Sequence, residues 1–382
     1  MRKSYLVFGS PLIEEEEINE VVDTLKSGWI GTGPKVEKFE EDFRKYINVK
    51  NAVAVSSCTA GLHLSILALD IKPGDEVIVP AMTFVATANV VIHSGAKPVL
   101  VDVDKYKMTI DTGDIESRIT EKTKAIIPVH FAGRACDVAS IMKIALKYNL
   151  KVIHDAAHAI ETEFEGKKVG SYNDISSYSF YVTKNVVTAE GGMLTTNDDD
   201  LAAKIKIWAL HGMDKDAWKR YSDKGYKHYD VCYPGYKYNM TDIQASLGIH
   251  QLAKVERNYK RRAEIWNRYQ NELNDLPLIL PPEPEKNTKH AMHLYIVLLK
   301  IEEAKISRDE LLLKLHKMNI GTGVHYRAIH FHPYYKSTFG YKEGDFPNSE
   351  FISERTLSIP FSAKLTDEDV SDVINSLKEV LS

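Results

Sequence analysis

The chain has 382 residues, more than one hydrophobic core usually serves, so a large domain with a smaller one is expected. Hydrophobic residues make up 44% of the sequence and charged residues 27%, close to the average for globular proteins, which argues against a disordered or fibrous chain. The 49 basic residues nearly balance the 53 acidic ones, and the formal net charge of −4 lacks the basic excess typical of nucleic-acid binders. We therefore expect an enzyme-sized fold that binds no nucleic acid.

Cysteine usage and hydropathy indicate the compartment. Cys58, Cys136 and Cys232 are odd in number and lack the CxxC pairing of zinc ribbons and redox motifs, which fits a reducing compartment. The apolar run within residues 1–12 is too short for a signal peptide, and no stretch approaches the ~18 apolar residues that span a bilayer. A cytoplasmic protein without a membrane partner is the expectation.

Short β-branched runs alternate with helical segments between about residues 50 and 200. The runs predicted to be strands cover 52–56, 76–80, 97–103, 124–129, 151–155, 176–181 and 192–197. This alternation predicts an α/β fold in which helices flank a mostly parallel sheet. Because ligands of such sheets bind at the carboxyl ends of the strands, the polar residues that follow these runs are candidate site residues.

The pattern changes after residue 242. The elements predicted there are one long helical stretch over 242–273, a proline-rich linker or edge over 276–286, strands over 293–301 and 321–326, and helices over 307–318 and from 367 onward. These elements form a small α+β unit. We accordingly divide the chain into an N-terminal arm with a large domain, 1–255, and a small C-terminal domain, 256–382.

Asp155 ends a predicted buried strand, where a carboxylate is unfavourable unless it faces a cation. A protonated pyridine nitrogen is such a partner, and the pair would keep a pyridine cofactor an effective electron sink. Capping of the following helix is the alternative. His154 and His158 have the i, i+4 spacing of zinc helices, but His154 lies in the strand-like run and the Glu of that motif is missing, so no metal site is expected.

Lys184 lies between two strand-like runs, in a mostly apolar and uncharged segment that ends in Glu190, Gly191 and Gly192. Burial would lower the pKa of its amine and leave a neutral nucleophile able to attack an aldehyde. A solvated loop lysine is the alternative. The two glycines are expected to let the backbone turn tightly before the next strand.

The segment 54–64 reads as a strand followed by small polar residues that open a helix. Free backbone N–H groups and the positive end of the helix dipole make this junction a site for a phosphate, whereas an ordinary N-cap by Ser57 or Thr59 is the alternative. Phe84 follows another strand and could stack on an aromatic ring, although an isolated aromatic is more often part of the core. The glycines of 31–34 follow a helix and lack the third glycine of a dinucleotide site, so a nicotinamide dehydrogenase is not supported.

The order and spacing of these motifs resemble those of one family. The segments that carry the resemblance are GWIGTGP (28–34), SSCTAGLHL (56–64), PAMTFVATAN (80–89), PVHFAG (128–133), DAAHA (155–159), SFxxxKxxxxxEGG (179–192) and GYKYNMTD (235–242). The chain resembles the DegT/DnrJ/EryC1/StrS aminotransferases, pyridoxal phosphate enzymes of fold type I that aminate nucleotide-linked keto sugars. Within that family, NIGTGVHYRAIH (319–330) is similar to the branch that forms UDP-4-amino-4-deoxy-L-arabinose.

The resemblance implies a role for each residue around the cofactor ring. Lys184 would form the Schiff base with pyridoxal 5'-phosphate and shuttle protons. Asp155 would contact the pyridine nitrogen and His158 would lie near the phenolic oxygen. Phe84 would stack on the ring. 

The resemblance also implies a phosphate site and a homodimer. Cys58, Thr59 and Ser179 would bind the cofactor's phosphate, and Asn239 would reach it from the neighbouring subunit, so that the two active sites are shared.

The implied reaction has two substrates, L-glutamate, which leaves as 2-oxoglutarate, and a nucleotide-linked keto sugar aminated at C4, for surface polysaccharide, lipid A or amino-sugar biosynthesis. Trp29, Gly33, His325 and Arg327 are candidate substrate contacts. A pyridoxal-phosphate-dependent sugar dehydratase would share the fold but replace the lysine by histidine, and a noncatalytic regulatory homologue would lose the lysine or the aspartate. The nucleotide, the sugar and the stereochemistry of the amine stay open.

Overall fold

Each of the seven predicted β-branched runs forms a strand of one sheet in the computed structural model, which describes residues 2–172, 175–214 and 229–381. The strands up to residue 196 are β1 (Asn51–Val55), β2 (Glu76–Pro80), β3 (Lys97–Val101), β4 (Thr123–Ile126), β5 (Lys151–Asp155), β6 (Glu163–Phe164), β7 (Lys167–Lys168), β8 (Ile175–Ser179) and β9 (Gly192–Thr196). The large sheet has the order β1-β9-β8-β5-β4-β2-β3. Its pairs from β3 to β8 are parallel, and β9 is antiparallel to both neighbours.

Helices precede, separate and follow these strands along the chain. They are α1 (Glu15–Ser27), α2 (Pro34–Ile47), α3 (Cys58–Ala68), α4 (Ala86–His93), α5 (Thr112–Ile115), α6 (Val138–Tyr148) and α7 (Asp199–Ala209). The helix α3 packs against α4, α7 and the strands β8 and β9, and is buried on nearly every face. Such all-round burial fits its almost wholly apolar sequence. The predicted α/β fold with a mostly parallel, helix-flanked sheet is therefore confirmed.

The long helical stretch predicted after residue 242 is two helices. They are α8 (Asp242–Ala253) and α9 (Val255–Glu272). Lys254, between them, has φ −106° and ψ 7°, which interrupts the helical path. A single continuous helix was therefore the wrong prediction, because a periodic apolar pattern does not mark a break that lacks proline or glycine.

A second, three-stranded sheet forms the centre of the C-terminal part. The remaining elements are β10 (Leu278–Ile279), β11 (Thr288–Lys289), β12 (Tyr295–Leu299), α10 (Ile301–Ala304), α11 (Arg308–Lys317), α12 (Pro333–Phe339), α13 (Pro347–Arg355), β13 (Thr356–Ile359) and α14 (Asp367–Leu381). The strands β10, β12 and β13 are antiparallel, with β10 at the edge, as expected for the proline-rich segment. The predicted helices begin at capped positions, with Ser307 closing a capping box on α11.

The strand predicted over 321–326 does not form. That segment makes only an isolated bridge, between Gly323 and Ser358. The N-terminal arm also joins this part of the chain, because Leu6 pairs with Ile320 and packs on the core of the small sheet. The division at residue 255 stays a prediction. Within the described residues, no helix combines the length and apolar character needed to cross a bilayer.

Candidate active site

A cavity of about 350 Å³ opens where the parallel strands of the large sheet end. Eight predicted site residues line it, namely Cys58, Thr59, Phe84, Asp155, His158, Ser179, Lys184 and His325. Seven of them come together because β1, β2, β5 and β8 run in the same direction, so that the segments at their ends meet at one edge of the sheet, whereas His325 comes from the C-terminal part of the chain. The volume suits a small-molecule ligand.

Asp155 is the buried acid of this cavity. Its carboxylate is 5% exposed and accepts hydrogen bonds from Oγ1 of Thr87 (2.9 Å) and the backbone N–H of Ala157 (3.1 Å). The carboxylate forms no ion pair with a described residue; burial raises the pKa of the carboxyl group, and the charge of the nearby Lys184 opposes that rise. A buried carboxylate that lacks a cation and faces a cavity is suited to a positively charged ligand atom.

The helix α3 points its N-terminus into the same cavity. Ser57 is its N-cap, and Oγ of Ser57 accepts a hydrogen bond from the backbone N–H of Ala60 (3.0 Å). The N-cap alternative is therefore real, but it satisfies only one of the free N–H groups of the first turn. Those of Cys58 and Thr59 stay available for an anion at the edge of the cavity.

Gly192 is needed at the start of β9 for close packing. A Cβ there would lie 2.5 Å from the backbone carbon of Ser57 and 2.6 Å from the backbone nitrogen of Cys58. The chain bends before β9 at Ala189 (φ 66°) and Glu190, but neither Gly191 nor Gly192 has a positive φ, so the bend does not depend on the glycines as expected. The glycine instead lets β9 approach the turn that opens α3.

The thiol of Cys58 faces the sheet. Its Sγ lies 3.4 Å from the carbonyl oxygen of Ser177 and 4.0 Å from Oδ1 of Asp155, and burial raises the pKa of the thiol well above its ordinary value. Cys58 can therefore offer a phosphate its backbone N–H but no reactive thiolate. Oγ of Ser179 accepts a hydrogen bond from the N–H of Tyr181 (3.3 Å) at the rim of the cavity.

Lys184 lies on a loop closed at its base by backbone hydrogen bonds. The N–H of Phe180 donates to the carbonyl of Gly191 (2.9 Å), and the N–H of Thr188 donates to the carbonyl of Phe180 (2.8 Å). The ring of Phe180 is fully buried in the core. Burial lowers the pKa of the Lys184 amine to about 8, against the opposing effect of Cys58 and Asp155. Lys184 is half-buried in the wall of the cavity, which disfavours a fully solvated loop lysine.

His158 has a defined tautomer. Its Nδ1 accepts a hydrogen bond from the backbone N–H of Ala132 (3.1 Å), so the proton of the neutral ring resides on Nε2. Nε2 lies 3.4 Å from the hydroxyl oxygen of Tyr326. Burial lowers the pKa of His158 well below its ordinary value, and the ring stays neutral. His154 is separately paired with Nε2 of His130 (3.0 Å), so the two histidines of the zinc-like spacing do not face one ligand.

Aromatic and imidazole rings form the opposite wall. Phe84 is 55% exposed, and its ring centroid is 5.7 Å from that of Tyr326. Nδ1 of His325 is 2.7 Å from Oγ of Ser358, and burial lowers the pKa of His325 to about 4. Phe84 is thus no core residue, and its face is open to a planar ligand.

Three predicted residues lie elsewhere in this chain. Trp29, Gly33 and Asn239 line a second cavity, of about 460 Å³. Nδ2 of Asn239 donates to Oγ1 of Thr32 (2.6 Å), and the indole of Trp29, 56% exposed, donates to the carbonyl of Thr32 (3.1 Å). The expected contacts of Trp29 and Gly33 with substrate are not made in the first cavity of the same chain. Gly33 also permits close packing, since a Cβ there would overlap the Trp29 indole.

Arg327 does not line either cavity. Its exposed guanidinium donates a hydrogen bond to the carbonyl of Phe331 (3.1 Å) and forms no ion pair with any described residue. Thr87 and Tyr326 also belong to the region of the first cavity but were not predicted from the sequence. The buried Thr83 and Thr87 hydroxyls are 2.9 Å apart, and their i, i+4 spacing after a strand was the available signal. Tyr326 had no comparable signal.

These residues fit pyridoxal phosphate. The unpaired, buried carboxylate of Asp155 suits a protonated ring nitrogen, and the free N–H groups at the start of α3 suit a phosphate. Lys184, with an amine that is partly neutral near pH 7, suits attachment to an aldehyde. The three features surround one cavity, so a single molecule can meet all of them.

Comparisons with known proteins agree with this fit. The model of the DegT/DnrJ/EryC1/StrS aminotransferase family matches residues 11–378. The chain is 54% identical over 382 residues to the uncharacterized protein MJ1066 of Methanocaldococcus jannaschii, covering 100% of this chain and 99% of that one. It is 46% identical over 381 residues to the spore coat polysaccharide biosynthesis protein SpsC of Bacillus subtilis, with coverage of 100% and 98%.

A solved structure is also similar over almost the whole chain. The PLP form of Spr1654 from Streptococcus pneumoniae, named as a candidate sugar aminotransferase, is 34% identical, with a TM-score of 0.90 and coverage of 98% of both chains. The same protein has been solved in a PMP form. Fold type I and the pyridoxal phosphate cofactor, both expected from the sequence, are therefore confirmed. The chain belongs to the DegT/DnrJ/EryC1/StrS family and is a pyridoxal-phosphate-dependent sugar aminotransferase.

Proposed function

We propose that the protein moves the amino group of L-glutamate onto C4 of a nucleotide-linked keto sugar. The observation that carries the proposal is the meeting of the Lys184 amine, the Asp155 carboxylate and the start of α3 in one cavity. Pyridoxal phosphate supplies the electron sink and accepts and returns the amino group when it is bound. The chain's own residues then bind, orient and move protons.

Lys184 is proposed as both the tether and the proton carrier. With a pKa of about 8, roughly one-tenth of its amine is neutral at pH 7, enough to attack an aldehyde and to take a proton from the alpha carbon of the amino acid. The same amine, once protonated, returns a proton to the sugar carbon in the second half of the reaction. The closed base of its loop keeps Nζ aimed at the cavity.

The other residues are proposed to hold the cofactor. Asp155 binds the ring nitrogen and keeps it protonated, because a carboxylate favours the charged form of a nearby base. The N–H groups of Cys58 and Thr59, with the hydroxyl of Ser179, bind the phosphate. Phe84 stacks on the ring and His158 donates from Nε2 to the phenolic oxygen.

We also propose a homodimer with shared active sites. Asn239, Trp29 and Gly33 line a cavity apart from Lys184 in their own chain, which is the arrangement expected if they serve a partner's site. The helix α1 supports this proposal with an exposed apolar stripe of Ile18, Val22 and Leu25.

The residues proposed to bind the substrates are inferred from the charges that the substrates carry. Lys184 is the only lysine or arginine among the described residues that line the cavity, so other cations must bind the carboxylates of glutamate and the diphosphate of the sugar. Arg327, next to Tyr326 and free of ion pairs with described residues, is a candidate for the diphosphate, and His325 is a candidate for the sugar.

The class of sugar and the pathway remain proposals. The name of SpsC associates that relative with spore coat polysaccharide, which supports a role in surface polysaccharide synthesis here. Lipid A modification through a UDP-linked 4-keto pentose is the other product class suggested by the small-domain motif. The cytoplasmic location also stays a prediction; it agrees with the free thiols of Cys58, Cys136 and Cys232.

The test is glutamate-dependent amination across UDP-, dTDP- and GDP-linked 4-keto sugars, with Lys184→Ala as the control. We expect an amino sugar and 2-oxoglutarate in equal amounts from at least one substrate, and neither from the variant. Loss of a sugar hydroxyl without amine transfer would instead identify a dehydratase. No reaction with any donor would favour a noncatalytic role.

Sharing of sites can be tested with mixed dimers. A dimer of one Lys184→Ala subunit and one Asn239→Ala subunit contains one intact and one doubly altered site if the residues come from different chains. It should recover roughly half of the wild-type activity per dimer, provided that the sites act independently. Activity no higher than that of the two parent homodimers would refute sharing.

A further inference from the structure

A chain of buried polar side chains lies behind the cavity, between the loop of Lys184 and α9. Glu161 is fully buried and Arg262 is 3% exposed, and the two form an ion pair. The other oxygen of Glu161, Oε2, accepts a hydrogen bond of 2.9 Å from Nδ2 of Asn185. Because Asn185 directly follows Lys184, one side chain connects the ion pair to the loop that bears the lysine.

The orientation of the Asn185 amide is fixed by its partners. Nδ2 also donates to the carbonyl of Ala291 (3.1 Å), so both donor positions point at acceptors. Oδ1 of Asn185 is therefore the acceptor that faces Nδ1 of His293, at 3.1 Å. It follows that the neutral His293 ring carries its proton on Nδ1.

His293 connects Asn185 to a residue of the cavity wall. Its ring centroid is 4.5 Å from that of His158, with 41° between the planes, and His158 lines the cavity. Burial lowers the pKa of both imidazoles, so two neutral rings pack together. A change in the position of His293 therefore changes the position of His158.

Arg262 holds the other side of His293 as well. Its Nε donates to the carbonyl of Met292 (3.0 Å), the residue before His293. One guanidinium thus contacts both the acid that orients Asn185 and the backbone that carries His293. A buried ion pair adds little to stability on its own, because loss of hydration offsets the attraction between the charges, so its position calls for another explanation.

We propose that Arg262 and Glu161 are positioning residues for the aminotransferase site: through Asn185 they hold the loop of Lys184, and through His293 they hold the ring of His158. The inference rests on the proposed role of Lys184. It extends the site to α9, whose residues do not line the cavity. In this role the ion pair keeps the Lys184 amine and the His158 ring correctly placed, as both half-reactions of amino-group transfer require.

The test replaces both charges together, in Glu161→Met/Arg262→Met. Exchange of a buried ion pair for apolar side chains is often neutral for stability, whereas either single change leaves an unpaired buried charge. The double variant should therefore melt close to the wild type, while kcat falls on the order of 10- to 100-fold and the KM for glutamate changes little. The matched control is Arg261→Met/Asp367→Met, which removes the exposed ion pair of the preceding α9 residue and should leave kcat unchanged.

A second readout uses the cofactor-free protein. Competitive acetylation followed by mass spectrometry gives the apparent pKa of Lys184 as a function of pH. In the double variant the loop loses its anchor and the amine gains water, so the pKa should rise from about 8 toward 10.5. A role confined to packing would leave this pKa unchanged.

Two further variants, Asn185→Ala and Lys184→Ala, distinguish a failure of this inference from a misfolded variant and from a failure of the proposed function. If the double variant does not fold, Asn185→Ala removes the link while keeping the ion pair, and it should show the same loss of kcat and the same rise in pKa. Wild-type kcat and pKa in a folded double variant, or in Asn185→Ala, would overturn the inference. An inactive Lys184→Ala beside a fully active double variant would refute only this inference, whereas an active Lys184→Ala would refute the proposed function itself.

Discussion

The pH dependence of cofactor capture tests the environment of Lys184 directly. Burial lowers the pKa of this amine to about 8, so at pH 7 roughly one-tenth of it is neutral, compared with roughly 0.03% for an amine with a pKa of 10.5. Only the neutral amine attacks an aldehyde. The structure therefore predicts that capture at pH 7 is about 300-fold faster than an ordinary lysine of equal accessibility would allow.

The assay mixes cofactor-free protein with pyridoxal phosphate and follows the visible absorbance between about pH 6 and pH 10. The rate should rise with pH and level off above about pH 8, because the amine is then mostly neutral. Asp155→Asn removes a carboxylate that raises the pKa of Lys184, so in that variant the inflection should move to lower pH.

Two results would refute this reasoning. One is an inflection at or above pH 10 in the wild type, which would mean that the amine is solvated. The other is an inflection that moves upward in Asp155→Asn, which would reverse the sign of the interaction. Lys184→Ala is the control for capture by other lysines and should give no covalent product.

The remaining predictions concern the cofactor ring, its phosphate site and the thiols. Asp155→Asn should retain cofactor absorbance but lose about 100-fold or more in kcat, since it removes a preorganised charge at the ring; near-normal turnover would count against the role of the carboxylate. Gly192→Ala should weaken cofactor affinity and lower the free energy of unfolding by about 1–3 kcal/mol, because the new Cβ would lie 2.6 Å from the backbone nitrogen of Cys58. An unchanged cofactor Kd in spectrophotometric titration together with an unchanged melting temperature would contradict this. Iodoacetamide at pH 7.5 should modify the exposed Cys232 and spare the buried Cys58 and Cys136, as mass spectrometry can show; rapid loss of the Cys58 thiol in the folded protein would be inconsistent with its raised pKa.

Much of the large sheet and of the first cavity could be predicted from sequence. The β-branched runs set the strands, and the alternation with helices made the sheet parallel, which placed Asp155, Ser179 and Lys184 at one edge. Local chemistry also suggested Ser57 or Thr59 as a cap, since small polar residues before an apolar helix satisfy its first N–H groups, and Ser57 takes that role in the structure. In each case the relevant interaction is local or follows from strand direction.

Other features depend on contacts between distant parts of the chain. The strand expected over 321–326 is replaced by a single bridge from Gly323, and Lys254 breaks a helix that its sequence would have continued. Gly192 is required because β9 lies close to the turn that opens α3. From its sequence neighbours alone, the glycine was expected to serve a tight turn instead.

The sequence by itself pointed to the lysine, the acid and the turn proposed to bind the phosphate, because each follows a β-branched run and the alternation of these runs with helices predicts parallel strands. Only the tertiary structure decided that Asn239 lines a separate cavity and that Tyr326 faces His158. Only the tertiary structure also joined Glu161 to Arg262 behind Lys184. The physical reason is burial. The pKa of Lys184 and the pairing of the buried charges of Glu161 and Arg262 depend on the exclusion of water, and the residues that exclude water come from elements far apart in the chain.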